Sequence, residues 1–158
     1  MNRKERIESY SKAYDKLVEA LTEFPKEMWQ YKPSPNKWSI HEIIIHITDS
    51  EANSFCRARK FICEPSSAVM AYEQDLWAVK LNYHLQSTDE ALELFKILRR
   101  NTYNLIKNLP DETWDNHIMH PENGKMSLND WLVIYDDHIP VHINQMERNF
   151  AEWQKSKM

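Results

Sequence analysis

The stretch SLNDWLVIYDDHIPVHINQMERNFAEWQ, residues 127–154, predicts a long amphipathic helix near the end of the chain. Its apolar side chains recur every three or four residues, which is the spacing of one helix face. Ser127, with Asp130 three residues later, is typical of a helix start. Pro140 lies inside the segment and is expected to kink the helix. The predicted inner face consists of Leu128, Leu132, Tyr135, Ile139, His142, Met146, Phe150 and Trp153.

Three earlier segments show the same helical spacing, and a proline follows each of them within a few residues. Ser39 with Glu42, and Ser87 with Glu90, have the spacing of a capping box, in which the two residues satisfy each other's backbone N–H groups. The predicted helices therefore cover residues 2–23, 39–62 and 87–109.

Four amphipathic segments predict an all-α fold, a four-helix bundle formed by a single domain of residues 1–158. The chain has only one glycine, Gly124, which argues against hairpin-rich folds and glycine-rich phosphate loops. Residues 64–86 form a long connection, with a short helix expected at 72–82, that can cross one end of a bundle. Residues 111–126 are predicted to be loop.

Charge and hydropathy exclude several classes of protein. The net charge is −4 and lysines and arginines do not form long runs, so the basic surface of a nucleic-acid binder is missing. No run approaches the roughly 20 apolar residues of a membrane span, and residues 1–12 lack the apolar core of a signal peptide. We therefore expect a cytoplasmic protein that binds neither nucleic acid nor membrane.

A pair of histidines inside the C-terminal helix suggests a metal site. His138 and His142 are separated by about one helical turn, so both imidazoles project from one face and can chelate one divalent ion. The best third ligand is His46, on the second predicted helix. The alternative is that His138 and His142 are ordinary helix histidines, one exposed and one with its hydrogen bonds satisfied at the edge of the core, and that His46 belongs to a solvated polar face.

Other metal architectures fit the sequence poorly. The zincin motif HExxH needs a glutamate where Ile139 follows His138. Di-iron bundles need repeated Glu-x-x-His pairs, whereas Glu42 and His46 are four residues apart and no second pair exists. Cys56 and Cys63 do not have the spacing of a redox or zinc motif and are expected to be ordinary, partly buried thiols.

Several short motifs along the chain together match a known family. They are Trp38-Ser39-Ile40-His41-Glu42-Ile43, His46-Ile47-Thr48-Asp49-Ser50-Glu51, Asp75-Leu76-Trp77, Arg99-Arg100, His138-x-x-x-His142 and Gln145-Met146. In their order and spacing the chain resembles the DinB/YfiT-like metalloenzymes over nearly its whole length. The resemblance implies a four-helix bundle with a long crossover between helices two and three. It also implies one divalent metal, commonly zinc or nickel, on His46, His138 and His142.

The same resemblance suggests an activity and a partner. Family members with known activity are thiol S-transferases that conjugate bacillithiol, mycothiol or glutathione to electrophiles, and others are described only as metal-dependent hydrolases. We predict a metal-dependent transfer of a bacillithiol-like thiol to a small electrophile; a hydrolase and a non-catalytic metal- or ligand-binding bundle stay open. Members are often homodimers, here expected to pair through helices two and three. Asp49 and Tyr135 are predicted to orient the imidazoles or move protons, with Asp136 and Asp137 as further candidates.

Overall fold

The computed structural model describes all residues, 1–158, and consists of six α-helices and one short β-hairpin. The helices are α1 (Arg3–Ser11), α2 (Ala13–Leu21), α3 (Ile40–Cys63), α4 (Gln74–Lys80), α5 (Thr88–Ile106) and α6 (Leu128–Ser156), and the strands are β1 (His117–His120) and β2 (Gly124–Ser127). The predicted all-α bundle is confirmed, since the hairpin is a minor addition. None of these helices is both long and apolar enough to cross a membrane.

Side-chain caps define where the two helices of the candidate site begin. The Ser39 hydroxyl accepts from the Glu42 backbone N–H, and the Glu42 carboxylate accepts from the Ser39 N–H at 2.9 Å. Ser127 and Asp130 form the same reciprocal pair at the start of α6. At α5 the pair is incomplete. The Ser87 hydroxyl accepts from the Glu90 backbone N–H, but the Ser87 backbone N–H does not donate to the Glu90 carboxylate. These caps satisfy backbone donors that the helix itself leaves unpaired.

The prediction of one helix over residues 2–23 is wrong in one respect. The chain forms two helices there, α1 and α2, which are separated at Lys12. The Ser11 hydroxyl donates to the Glu8 carbonyl at 2.7 Å. That carbonyl is the one to which the Lys12 N–H would donate in a continuous helix. The Lys12 N–H instead donates to Ser9, at 3.1 Å. Competition between a serine side chain and the backbone therefore accounts for the break.

The prediction that residues 111–126 are loop is also wrong. β1 and β2 pair in an antiparallel hairpin with His120 opposite Gly124. Gly124 has φ +68°, a backbone conformation that favours glycine and allows the tight return of the chain. Met119 of β1 exchanges backbone hydrogen bonds with Ser67 and Val69, so the hairpin holds the start of the long connection after α3.

α3 and α5 are parallel neighbours, which explains the long connection between them. Thr48 donates to the Ala91 carbonyl, and further along both helices Arg59 donates to Asn101. Two parallel helices cannot be joined by a short turn, because the chain must return along the full length of the first before starting the second. Residues 64–87, including α4, make this return, and the predicted long crossover is confirmed.

α6 runs antiparallel to α3 and continues through Pro140 as one helix. His46 of α3 faces His142, whereas Arg57 further along α3 bonds to Tyr135, earlier in α6. α1 and α2 pack on the opposite side of the bundle, against α5 and α6. The pairing of α3 with α6 is what positions the candidate site.

Candidate metal centre

Three histidines meet where α3 and α6 pack together. His46 comes from α3, and His138 and His142 come from successive turns of α6. One ring nitrogen of each lies within 4.8 Å of the others. The two Nε2 atoms of His138 and His142 are 3.0 Å apart, and the His46 ring centroid is 4.8 Å from that of His142. The structure therefore brings together the three residues that were predicted to be ligands.

Burial keeps these imidazoles neutral, which is the form that binds metal. Burial lowers the pKa of His46 to about 3, with a smaller contribution from His142. It also lowers the pKa of His142, and lowers that of His138 well below its usual value. A protonated imidazole has no lone pair to offer, so a set of neutral imidazoles is a suitable ligand set for a divalent ion.

The hydrogen bonds within the cluster also fit a bound cation. The His142 Nδ1–H donates to Gln145 Oε1 at 2.8 Å, so His142 Nε2 presents its lone pair towards His138. His46 Nδ1 is buried without any hydrogen-bond partner. Buried polar atoms are rarely left without a partner, and a bound cation would supply one for this nitrogen. Zinc, nickel, copper and iron are the metals that imidazole nitrogens suit.

Two residues that sequence analysis did not assign to the site hold its histidines in place. Gln145 lies three residues after His142 on the same helix face, and its bond selects the tautomer of that ring. Trp38 packs on His46 with ring centroids 4.5 Å apart, and its carbonyl accepts from Asn149 of α6. The spacing of Gln145 three residues after His142 could have identified it from the sequence, whereas the packing of Trp38 on His46 is a tertiary contact.

Asp49 and Tyr135 lie near the cluster without a hydrogen bond to its histidines. Asp49 accepts from the Tyr83 hydroxyl at 2.5 Å, and burial raises the pKa of its carboxyl group. The Tyr135 ring centroid is 6.0 Å from that of His138, and its hydroxyl accepts from Arg57. Their predicted roles in orienting imidazoles or moving protons stay predictions.

The two acidic residues beside His138 bind a cation from another helix. Asp136 and Asp137 both accept from the Arg6 guanidinium of α1, at 3.1 and 3.2 Å. Asp136 is buried and Asp137 is exposed. These contacts tie α6 to α1 and leave neither carboxylate bonded to the histidine cluster.

Two cavities are lined by residues that are neighbours of the three histidines. The larger, of about 640 Å³, includes Trp38 and Gln145, the two side chains that contact His46 and His142. The smaller, of about 470 Å³, runs along α3 from Asp49, one helical turn after His46. Each cavity has the volume for a small molecule.

We expect the metal-free protein to lose stability as the pH is lowered from about 7 to about 5. The folded state lowers the pKa of each histidine of the cluster, so the unfolded chain takes up protons first, from about pH 6.5 downwards. The stability that the neutral rings contribute is fully present above that pH and is lost towards the folded pKa. Each ring adds a slope of up to about 1.4 kcal/mol per pH unit.

Urea unfolding in the presence of a chelator, at several pH values, measures this slope. His46→Gln removes one titrating ring and should reduce the slope by the contribution of that ring, up to about 1.4 kcal/mol per pH unit. His84→Gln, at an exposed histidine outside the cluster, should leave the slope unchanged. Equal slopes for the unmodified protein and His46→Gln would contradict the expectation.

Comparisons with known proteins identify the family. The sequence pattern described as the DinB superfamily matches residues 9–146. A protein of Oceanobacillus iheyensis named "Putative metal-dependent hydrolase" is 26% identical over 106 residues, which cover 67% of this chain but only 61% of that protein. A Bacillus cereus protein of the same name is 24% identical over 151 residues, covering 91% of this chain and 87% of that protein.

A solved structure shares the fold. YfiT from Bacillus subtilis, described as "a probable metal-dependent hydrolase with an unusual four-helix bundle topology", superposes with a TM-score of 0.83 at 19% identity. The superposition covers 96% of this chain and 90% of YfiT. The family pattern itself spans most of the chain, residues 9–146. This chain therefore belongs to the DinB superfamily.

Proposed function

We propose that this protein is a metal-dependent enzyme in which His46, His138 and His142 hold one divalent ion, zinc or nickel, and which transfers a low-molecular-weight, bacillithiol-like thiol to a small electrophile. The observation that carries the proposal is the convergence of three neutral imidazoles within 4.8 Å. Three protein ligands are typical of catalytic sites, because they leave a coordination position free for a reactant. When bound, the ion supplies Lewis acidity, which lowers the pKa of a thiol or a water molecule that ligates it.

The residues of this chain keep the site rigid and neutral. Gln145 holds the His142 ring through Nδ1, and Trp38 covers His46. His46 and His142 are buried, whereas His138 is only partly so, which leaves access from one side. A reactant entering there meets ligands that are already oriented, so little ordering of side chains is needed on binding.

The surroundings of the cluster favour a thiol as the nucleophile. Hydrolysis by a metal site usually relies on a carboxylate that takes a proton from the attacking water. Here the nearby carboxylates are engaged elsewhere, Asp49 with Tyr83 and Asp136 with Arg6. A thiol has a pKa of about 8.5 and ionises without such a base more readily than water does. The chain's own cysteines, Cys56 and Cys63, are free, and they are exposed rather than partly buried as predicted. Neither belongs to a redox or zinc motif, so the thiol would come from a cosubstrate.

Hydrolysis is the second candidate function. It is favoured by the names of the relatives and of YfiT, all of which refer to a metal-dependent hydrolase. Asp49 could still serve as a base, since its raised pKa brings it closer to the range in which a carboxylate exchanges protons near neutral pH. In this case the substrate would be a small hydrolysable molecule and no thiol would be needed.

Product analysis with and without thiol tests the proposal. Protein loaded with zinc or nickel is incubated with electrophilic probes and bacillithiol, another thiol or no thiol, and the products are identified by mass spectrometry. We expect a thiol conjugate that requires both the metal and the thiol. Equal rates without thiol, with a hydrolysed product, would support the hydrolase, and no turnover in any condition would support a non-catalytic binding bundle.

We also propose that the protein is a homodimer, as the family resemblance implies, and that it pairs through α3 and α5. The outer face of α5 carries Leu94 and Ile97, each 48% exposed, and Leu105, 36% exposed. Apolar side chains grouped on one exposed helix face are typical of an interface. Light scattering at micromolar concentration should give twice the chain mass of 19.0 kDa.

A charged residue in this face should separate the two copies. Ile97→Lys is expected to give a monomer, because a buried lysine without a partner is strongly unfavourable at an interface. Val79→Lys is the control, since Val79 is 71% exposed but lies on α4, away from α5. A monomer mass for the unmodified protein would contradict the proposal.

A further inference from the structure

A groove with apolar walls runs along α3 and begins at Asp49, about one helical turn after His46. Its volume is about 470 Å³, and the 68–70 segment and Trp77 form the wall opposite α3. Along α3 the groove begins at Asp49 and continues past Arg57 to Lys60. These positions follow His46 at intervals of three and four residues, so they share one helix face with it. The groove and His46 therefore lie on the same face of α3.

Arg57 is a cation in this groove without a carboxylate partner. Its guanidinium donates to the Tyr135 hydroxyl at 3.0 Å and to the Met70 carbonyl at 2.6 Å, and both acceptors are uncharged. The buried Arg99, in contrast, pairs with Glu51, and Arg6 pairs with two aspartates. A partly buried guanidinium retains unused donors and an uncompensated charge, and both favour a bound anion.

The position of Arg57 on α3 determines how far an anion bound to it would lie from the histidines. The eleven residues from His46 to Arg57 span about 16 Å of helix, and long helical side chains point back towards the N-terminus. The guanidinium contacts Tyr135, whose ring is 6.0 Å from that of His138. A ligand anchored on Arg57 can therefore extend along the groove in the direction of the cluster.

The walls of the groove suit such a body. Ala52, Val69 and Trp77 are apolar, and Trp77 is packed against the Tyr72 ring with centroids 4.5 Å apart. The groove thus combines apolar area with a cation, as in sites for amphipathic small molecules.

We propose that the substrate bound in this groove is an amphipathic carboxylate. Its anionic group binds Arg57, and its apolar body is directed towards the three histidines. The inference rests on the proposed function in one respect, namely that the histidine cluster is the reactive centre. Arg57 is then a specificity-determining residue, because it selects an anionic substrate over a neutral one of the same shape.

Calorimetric titration with octanoate and with octanamide tests this proposal on the full-length protein in the presence of a chelator. The two probes have the same apolar chain and differ in the charge of the head group. We expect octanoate to bind at least about tenfold more tightly than octanamide, as a charge-assisted hydrogen bond to Arg57 predicts. Arg57→Gln should reduce this ratio to near one with little change for octanamide, and Arg57→Lys should preserve part of it.

Arg100→Gln is the matched control, because Arg100 is an exposed arginine on α5. It should leave the ratio unchanged. Equal binding of both probes to the unmodified protein, or an unchanged ratio in Arg57→Gln, would overturn the inference. Binding is measured without metal and without turnover, so a failure of the proposed enzyme activity would leave this ratio intact, and the two failures are distinguishable.

Discussion

Replacing His46, His138 or His142 with alanine is expected to lower the metal content from one divalent ion per chain to less than about a tenth of that after dialysis. Each variant leaves two imidazoles of the three that converge within 4.8 Å. Loss of a residue that merely supports a ligand lowers metal affinity by roughly 10–100-fold, and loss of a ligand should have a larger effect. Mass-spectrometric metal analysis of the purified protein measures the content directly.

His84→Ala is the control for this experiment, because His84 is exposed and lies outside the cluster. Its metal content should equal that of the unmodified protein. Full occupancy in His46→Ala would contradict the ligand assignment, since His46 is the only member of the set that α3 contributes. Circular dichroism should accompany each measurement to show that the variant has folded.

Gln145→Ala should give an intermediate result in the same assay. Gln145 accepts from His142 Nδ1 at 2.8 Å and so selects the tautomer that leaves Nε2 free. Without this bond the ring can turn or change tautomer, and a loss of roughly 10–100-fold in affinity is expected. An affinity lower than that of His142→Ala would contradict this ranking.

Replacing Arg99 with leucine is expected to lower the free energy of unfolding by about 3–5 kcal/mol. Arg99 and Glu51 form an ion pair in the interior of the bundle, with exposed fractions of 1% and 0%. Two guanidinium nitrogens donate to the two carboxylate oxygens at 3.0 and 2.7 Å, and Tyr10 donates a third bond to Glu51. Without Arg99 the carboxylate is buried and uncompensated. Urea unfolding followed by circular dichroism measures the change.

The double variant Glu51→Leu with Arg99→Leu should be less destabilised than either single variant. Each single variant leaves one buried charge without its partner, whereas the double variant leaves none. The Tyr10 hydroxyl, however, loses its acceptor. Lys155→Leu is the control at an exposed ion pair with Glu152, where a change below about 1 kcal/mol is expected. An Arg99→Leu variant as stable as the Lys155→Leu control would contradict the expectation.

Local signals in the sequence determined where most helices lie. The second predicted helix, 39–62, and the observed α3, Ile40–Cys63, differ by a single residue at each end. The prediction succeeded because a serine cap, a following glutamate and a helical repeat of apolar residues all act within a few residues of one another. The same is true of α6, where Ser127 forms the predicted cap.

Local signals were not sufficient where one hydrogen bond or a few residues decide the outcome. The break at Lys12 depends on which donor occupies the Glu8 carbonyl, and helical spacing continues across it. The hairpin has strands of four residues, which are too short for an alternating pattern to be recognised. Its contacts with Ser67 and Val69 join segments that are far apart along the chain, so no local pattern encodes them.

The sequence by itself determined the helical class and identified His46, His138 and His142 as candidates, because helix periodicity and the spacing of His138 and His142 are properties of neighbouring residues. Only the tertiary structure decided that α3 and α6 bring these three rings together, that Trp38 covers His46, and that Asp49 bonds Tyr83 rather than a histidine. Those contacts join residues that are far apart along the chain. They depend on how the helices pack, and no local pattern encodes that.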